Sequence, residues 1–340
     1  MTEEVSTITD LPARDMTQNT AKDNALSSSR GIRLYFQCTV LLVGVVATAT
    51  NALIIYALVA SKQHKKQVLI FNQNALDLFA SFFLTVTYSL NLCNVYVTGS
   101  AGYWLCTLLL SESLSMFGNC GSIINLAVIS VERYLKIVHR TWSKKYLRKR
   151  VVYSTVALVW IITVIYNLAL VFPTTKVIDG TCYPYVFWNI SEARVAHFIW
   201  NFALFYVVTL LIIVVCYWRI LMVIRHQASV MAVHSASVSS SNVPSHFNPM
   251  QTSVIKTMIF VSILFAVALL PSYIVVLLIA LSSKPHHGSG YYASQVIGYL
   301  YFGINPFIYA TKFRPVKEVL LRLIPCKKIS EEATENFAGT

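Results

Sequence analysis

The chain has 340 residues, of which 56% are hydrophobic and only 12% are charged. A soluble domain carries about 25% charged residues, so lipid rather than water is the solvent for most of this chain. The formal charge of +13 would point to nucleic acid in a soluble protein. Here most of the 27 Lys and Arg gather on one set of alternating loops and ends. That is the mark of membrane orientation, and nucleic acid is excluded as a partner.

Residues 1–33 are polar and lack an apolar core. They read as a disordered extracellular tail and not as a cleavable signal. Seven apolar runs follow. The first is Leu34–Ala60, uncharged, with a basic loop after it (Lys62, Lys65, Lys66). The second is Val68–Tyr96, with Asp77 as its one charge. The third, Tyr103–Ile137, holds Cys106 near its start and Glu132-Arg133-Tyr134 at its far end, followed by the basic run Lys136 to Lys149. The fourth is Val151–Pro173, and the loop after it carries Cys182 and the glycosylation sequon Asn189-Ile190-Ser191. The fifth is Val195–Trp218. A Ser-rich connection comes next, flexible over about residues 226–250. The sixth, Thr257–Ser283, is broken by Pro271, and the seventh, Tyr291–Thr311, contains Pro306. Lys312–Ile324 sets Val316, Val319, Leu320 and Leu323 on one side and cations on the other. This suits a helix lying on a membrane surface. Cys326, a palmitoylation candidate, opens the tail 326–340.

The expected fold is therefore an all-α membrane protein: a seven-transmembrane helix bundle over residues 34–325 with a short amphipathic helix after the seventh span. Seven spans put the termini on opposite sides. The side rich in Lys and Arg is cytoplasmic, so the N-terminus is expected outside the cell and the C-terminus in the cytoplasm. Cys106 and Cys182 fall on the opposite, oxidising side and are the expected disulfide pair. Cys38, Cys93, Cys120 and Cys216 lie within apolar runs and read as buried free thiols.

The chain resembles the rhodopsin-like (class A) G-protein-coupled receptors over roughly Leu34 to Cys326. The motifs that carry the resemblance are Asn51, the stretch Asn72 to Asp77, Cys106, Glu132-Arg133-Tyr134, Trp160, Tyr217, Phe265, Pro271, Asn305-Pro306-Phe307-Ile308-Tyr309 and Phe313, each on its own span in this order. The resemblance implies a plasma-membrane receptor that passes the binding of an extracellular ligand to a heterotrimeric G protein. Arrestin, receptor kinases and membrane lipid are further implied partners, with the Ser-rich loop as a phosphorylation candidate. Glu132, Arg133, Tyr134, Tyr217, Phe265, Pro271, Asn305, Pro306 and Tyr309 form the implied activation switch. The two prolines break the backbone ladder and supply hinges. Around Asp77 the resemblance implies a hydrated site that holds a structural sodium ion, with Ser122 as a further ligand and Asn51 and Asn305 nearby; the plain alternative is that such polar residues bind helices together. No other cofactor is expected.

The sequence departs from the family at several points. Leu269 stands where an aromatic is usual before Pro271, and Thr209 where a proline is common. Gln251, not an acid, faces the arginine from the base of the sixth span. Cys106 lies two residues further from Arg133 than usual, so either the third helix bulges or the cysteine sits in the preceding loop. Ser115 occupies the place of the aspartate of amine receptors, and Tyr291–Thr311 contains no lysine for retinal; an amine receptor and an opsin are excluded. The expected ligand pocket draws on Glu112, Ser115, Met116, Asn119, His197, Asn201, Tyr273 and Tyr299. It suits a neuropeptide or a small neutral molecule, under a hairpin lid formed by Val177 to Cys182. A transporter or channel is the alternative class, but no repeat relates the two halves. An enzyme is excluded because Asp77 stands alone at bilayer depth, without the paired groups catalysis needs.

Overall fold

The computed structural model describes residues 11–184, 191–237, 249–282, 288–312 and 314–323. The first helix is α1 (Leu11–Ala60), and α2 (Val68–Leu92) follows the basic loop. The third span is composite: α3 (Gly99–Leu105), a π-helical turn (Cys106–Leu110) and α4 (Ser113–Val138). A short α5 (Arg140–Tyr146) leads to α6 (Lys149–Val171). Two short strands, β1 (Lys176–Ile178) and β2 (Thr181–Tyr183), precede the fifth span. That span is again composite: α7 (Ser191–Asn201), a π-helical turn (Phe202–Val208) and α8 (Thr209–Ser237). The chain closes with α9 (Pro249–Leu281), α10 (Ser289–Lys312) and α11 (Arg314–Leu323).

Among the described residues, six helical stretches are long and apolar enough to cross a bilayer: Arg30–Ala60, Val68–Leu92, Gly99–Val138, Lys149–Thr174, Glu192–Gln227 and Ile259–Leu281. The seventh, α10, has the length, 24 residues, but Gln, Asn, Gly and Tyr dilute its apolar character. These polar groups turn inward where α10 packs between α1 and α9 and touches α2. The helices form a closed bundle in which α4 contacts α2, α6 and α8.

Several helices run past the apolar segments that mark them in the sequence. The stretch Leu11–Arg33, expected as a disordered tail, continues α1, and α8 and α9 extend into the connection between them, leaving residues 238–248 outside the description. Hydrophobicity marks the membrane-embedded part of a helix, whereas its polar ends are stabilised in water by the backbone ladder.

The bundle is inverted relative to a soluble protein. Large apolar side chains such as Leu42, Ile165 and Val267 face outward, while Asn51, Asn72, Gln73, Asn74, Asp77, Ser122, Asn125 and Asn305 are buried along the axis. Lipid solvates the first set, and helix–helix hydrogen bonds satisfy the second. Small residues let the backbones approach. A Cβ added at Gly118 of α4 would lie 2.8 Å from the Ala80 backbone of α2. Cys120 and Cys216 are buried as expected, but Cys38 and Cys93 are exposed; an apolar run does not say which of its residues face lipid.

The β1–β2 hairpin turns at Asp179 (φ 49°) and Gly180 (φ 73°). Asp-Gly at a two-residue turn is the favoured pair for positive φ at both positions. The Cys106–Cys182 disulfide, with Cα atoms 5.4 Å apart, ties β2 to the π-helical turn. The Val97 amide donates to the Gly180 carbonyl at 3.1 Å. At the other end of the chain, α11 lies against α10 and α1 with Val316 buried and Lys317 and Arg322 exposed, the surface helix expected from its sequence.

Candidate functional site

The third span resolves the extra spacing before Arg133. The π-helical turn Cys106–Leu110 and a left-handed break at Glu112 (φ 59°) absorb the additional residues, and α4 then runs straight from Ser113. The Leu109 carbonyl accepts the Glu112 amide at 2.8 Å across the break and also the Thr87 hydroxyl of α2 at 2.9 Å. A bulky non-glycine residue at positive φ is sterically unfavourable unless its surroundings hold it. Tyr88 of α2 donates to Glu112 Oε1 at 3.0 Å and Tyr299 of α10 to Oε2 at 2.7 Å. The Tyr88 and Tyr299 rings meet edge-on at 6.3 Å, and Phe36 of α1 packs against Tyr88. One carboxylate thus joins three helices at the disulfide end of the bundle.

A second polar group lies on the fifth span. Tyr166 of α6 donates to Asn201 Oδ1 at 2.8 Å, and Asn201 Nδ2 contacts the His197 ring and donates to its carbonyl. An aromatic wall of Phe202, Tyr206 and Tyr273, with ring centroids 5.4 to 5.6 Å apart, leads inward to Phe265.

Deeper in the bundle the polar side chains are continuous. Asn305 Nδ2 donates to Asp77 Oδ2 at 2.8 Å, and Gln73 Nε2 lies between Asp77 Oδ2, at 3.4 Å, and Ser122 Oγ. Asn51 donates instead to the Phe302 and Ala47 carbonyls, linking α1 to α10.

About 30 Å along α4 from Ser113, at 1.5 Å per residue, lies the arginine. Arg133 Nε is 3.5 Å from Glu132 Oε2, and Arg133 Nη2 donates to Gln67 Oε1 at 2.5 Å. Glu132 also pairs with Lys136 one turn on. Tyr134 is half-buried against the core, its hydroxyl 3.0 Å from His139 Nε2.

The pattern of the family described as 7 transmembrane receptor (rhodopsin family) matches residues 50–309. This chain belongs to the rhodopsin family of seven-transmembrane receptors. It is a G-protein-coupled receptor of that family, not an enzyme. It is 29% identical to somatostatin receptor type 5 of Bos taurus over 287 residues, covering 79% of this chain and 70% of that one. The rat somatostatin receptor type 5 is 27% identical over 79% of this chain and 72% of its own. Galanin receptor 2a of Danio rerio is 25% identical over 60% of this chain and 54% of its own.

Within the rhodopsin-family bundle, the expected pocket residues sort into distinct groups. Glu112 meets Tyr299, and His197 meets Asn201. Met116 and Asn119 are half-buried on α4. Ser115 is buried and donates to the Ala80 carbonyl of α2 at 3.0 Å. Tyr217, Phe265 and Asn305 are buried, and Pro271 and Pro306 sit inside α9 and α10. The side chains of Tyr309 and Gln251 lie outside the description, as do Asn189, Phe313 and Cys326. Thr209 replaces the common proline, yet the irregularity survives as the π-helical turn before it.

Sequence reasoning missed Tyr88, Tyr166, Gln67, Gln73 and Asn125. Each has a partner on another part of the bundle, which the sequence does not show. The one available signal was the polarity of Gln73 and Asn125 at bilayer depth, where a side-chain amide needs a hydrogen-bond partner.

Proposed function

We propose that this receptor sits in the plasma membrane with its N-terminus outside, binds a peptide carrying a positive charge and activates a heterotrimeric G protein. The observation that carries the peptide chemistry is Glu112. Its carboxylate accepts from two tyrosine hydroxyls and, among the described residues, forms no ion pair; the ion pairs found there are those of Glu132. An acid at membrane depth marks a functional site by default. A ligand ammonium or guanidinium supplies the missing counter-charge, and the ring faces of Tyr88 and Tyr299 add cation–π attraction. The names of the relatives, receptors for somatostatin and galanin, support a peptide over a small neutral molecule.

The same residues supply a route to the switch. Glu112 holds Tyr88 on α2 and Tyr299 on α10 at once. A cation that competes for the carboxylate frees the Tyr88 and Tyr299 hydroxyls at that end of the bundle, and the hinge at Pro271 lets the far end of α9 respond. Arg133 then leaves Glu132 and Gln67 for the G protein. Receptor kinases and arrestin belong to the same reading through the Ser-rich stretch after α8.

The test is a screen of somatostatin, galanin and a panel of basic peptides for a calcium or cyclic-nucleotide response, followed by E112Q on the best agonist. Removing one partner of a buried charge pair costs about 2–5 kcal/mol, so potency falls about thirtyfold or more at equal surface expression. An uncharged agonist whose potency E112Q leaves unchanged would refute the reading.

A further inference from the structure

The sodium site implied by the resemblance requires oxygen lone pairs from Asp77 and Ser122, because a hard cation is held by oxygen atoms. The hydrogen bonds place donors there instead. The direction of each amide follows from a group that cannot be reversed. The indole of Trp160 on α6 has only an N–H, and it donates to Asn72 Oδ1 at 2.9 Å. The other end of that amide, Asn72 Nδ2, therefore donates to Asn125 Oδ1 at 2.9 Å. Asn125 Nδ2 in turn donates to Gln73 Oε1 at 2.8 Å and to the Leu69 carbonyl at 3.0 Å. With its oxygen engaged, Gln73 must aim its amino group at Ser122 Oγ and Asp77 Oδ2. Asn305 Nδ2 approaches the same carboxylate oxygen. Gln73, Asp77, Ser122, Asn125 and Asn305 are all fully buried.

The residues present do not fit a cation between Asp77 and Ser122. A sodium ion there would face the N–H groups of Gln73, and turning that amide around would break its bond to Asn125 and set like dipoles against each other back to Trp160. We infer that Gln73 takes the place of the cation: a relay of side-chain amides, started by the Trp160 indole, delivers a fixed donor to Asp77 and makes this receptor indifferent to sodium. Asp77 Oδ1, Asn51 Oδ1 and Asn305 Oδ1 keep lone pairs without a partner, but Ser122 is not among them, and the Asp77 carboxylate is already engaged through Oδ2 by the Gln73 and Asn305 amides.

Thermal melting of the purified full-length receptor in sodium chloride and in choline chloride at equal ionic strength tests this without an agonist. A ligand that binds the folded state raises the melting temperature with the logarithm of its concentration. The wild type is expected to melt at the same temperature in both salts. Q73L, which removes the donor and frees Ser122, is expected to show a melting temperature that climbs with sodium and not with choline. W160F, which deletes the donor that starts the relay and keeps an aromatic ring beside Phe79 and Phe117, is expected to show a smaller shift of the same sign. A sodium-specific rise in the wild type overturns the inference; so does a flat response in both variants.

Discussion

The two sides of the bundle are held together by different forces. On the side of α1, α2, α4 and α10, side-chain hydrogen bonds cross from helix to helix: Asn51 to the Phe302 carbonyl, Asn72 to Asn125, Asn125 to the Leu69 carbonyl, Asn305 to Asp77 and Ser115 to the Ala80 carbonyl. On the side of the fifth span and α9, packing rests mainly on aromatic rings, Tyr206 on Phe265 and Tyr273, and Phe265 on Tyr301, with the Tyr206 hydroxyl donating to the Ala266 carbonyl and Arg194 to the Ala280 carbonyl. Hydrogen bonds in a low-dielectric interior have narrow geometry, and losing one partner strands the other. Ring contacts tolerate sliding, because their energy is spread over many weak pairs. We propose that the polar side is the fixed frame and that α9, hinged at Pro271, is the part that moves.

The comparison can be broken first at the reporter of motion. R133A is expected to lower G-protein activation about tenfold or more, the upper part of the usual range of coupling between sites, while agonist binding persists; nucleotide exchange on the G protein and ligand binding, measured together, check it. Next comes the tie between hairpin and bundle. C106S or C182S is expected to cost about 2–5 kcal/mol, as for other native disulfides, read as a lower melting temperature and a lost peptide response.

The contrast between the sides is sharpened by a pair of substitutions. N125A strands Asn72 Nδ2 and Gln73 Oε1 in the buried frame and is expected to cost about 1–3 kcal/mol. Y206F, on the mobile side, removes one hydroxyl from a half-apolar contact and is expected to cost about 1 kcal/mol or less. Melting curves of the two proteins compare them directly, and equal losses would remove the distinction between frame and mover. The smallest effect is at the arginine latch. Arg133 is partly exposed, and its bond to Gln67 is worth about 1 kcal/mol after solvent screening. Q67A is expected to raise ligand-independent signalling about fivefold, measured against receptor density at the cell surface.

Much of this arrangement is legible before any coordinates. The apolar runs mark the spans, the Lys and Arg mark one side, and Asp-Gly between Ile178 and Thr181 marks the hairpin. The excess spacing between Cys106 and Arg133 points either to a bulge or to a cysteine in the preceding loop, and the π-helical turn with Glu112 at positive φ decides for the bulge. The partner of each polar group is not legible. Gln73 and Asp77 are four apart and share a helix face, but only the rotation of α4 decides that Ser122 and Asn125 meet them. The same holds for Tyr88 and Glu112, brought together by the break itself, and for Gln67, which reaches Arg133 because the loop after α1 is short. Helix existence follows from composition. Helix rotation follows from the sum of all contacts, and no single residue carries it.

The most direct test of a fixed frame and a moving α9 is a pair of distances at the Arg133 end of the receptor. Spin labels are placed at Lys62 and at Met250 for one pair, and at Lys62 and Arg140 for the other, in a receptor whose exposed Cys38 and Cys93 are replaced by serine. On binding nucleotide-free G protein, the Lys62–Met250 distance is predicted to lengthen while Lys62–Arg140 stays unchanged. A constant Lys62–Met250 distance, or an equal change in both, would contradict the account.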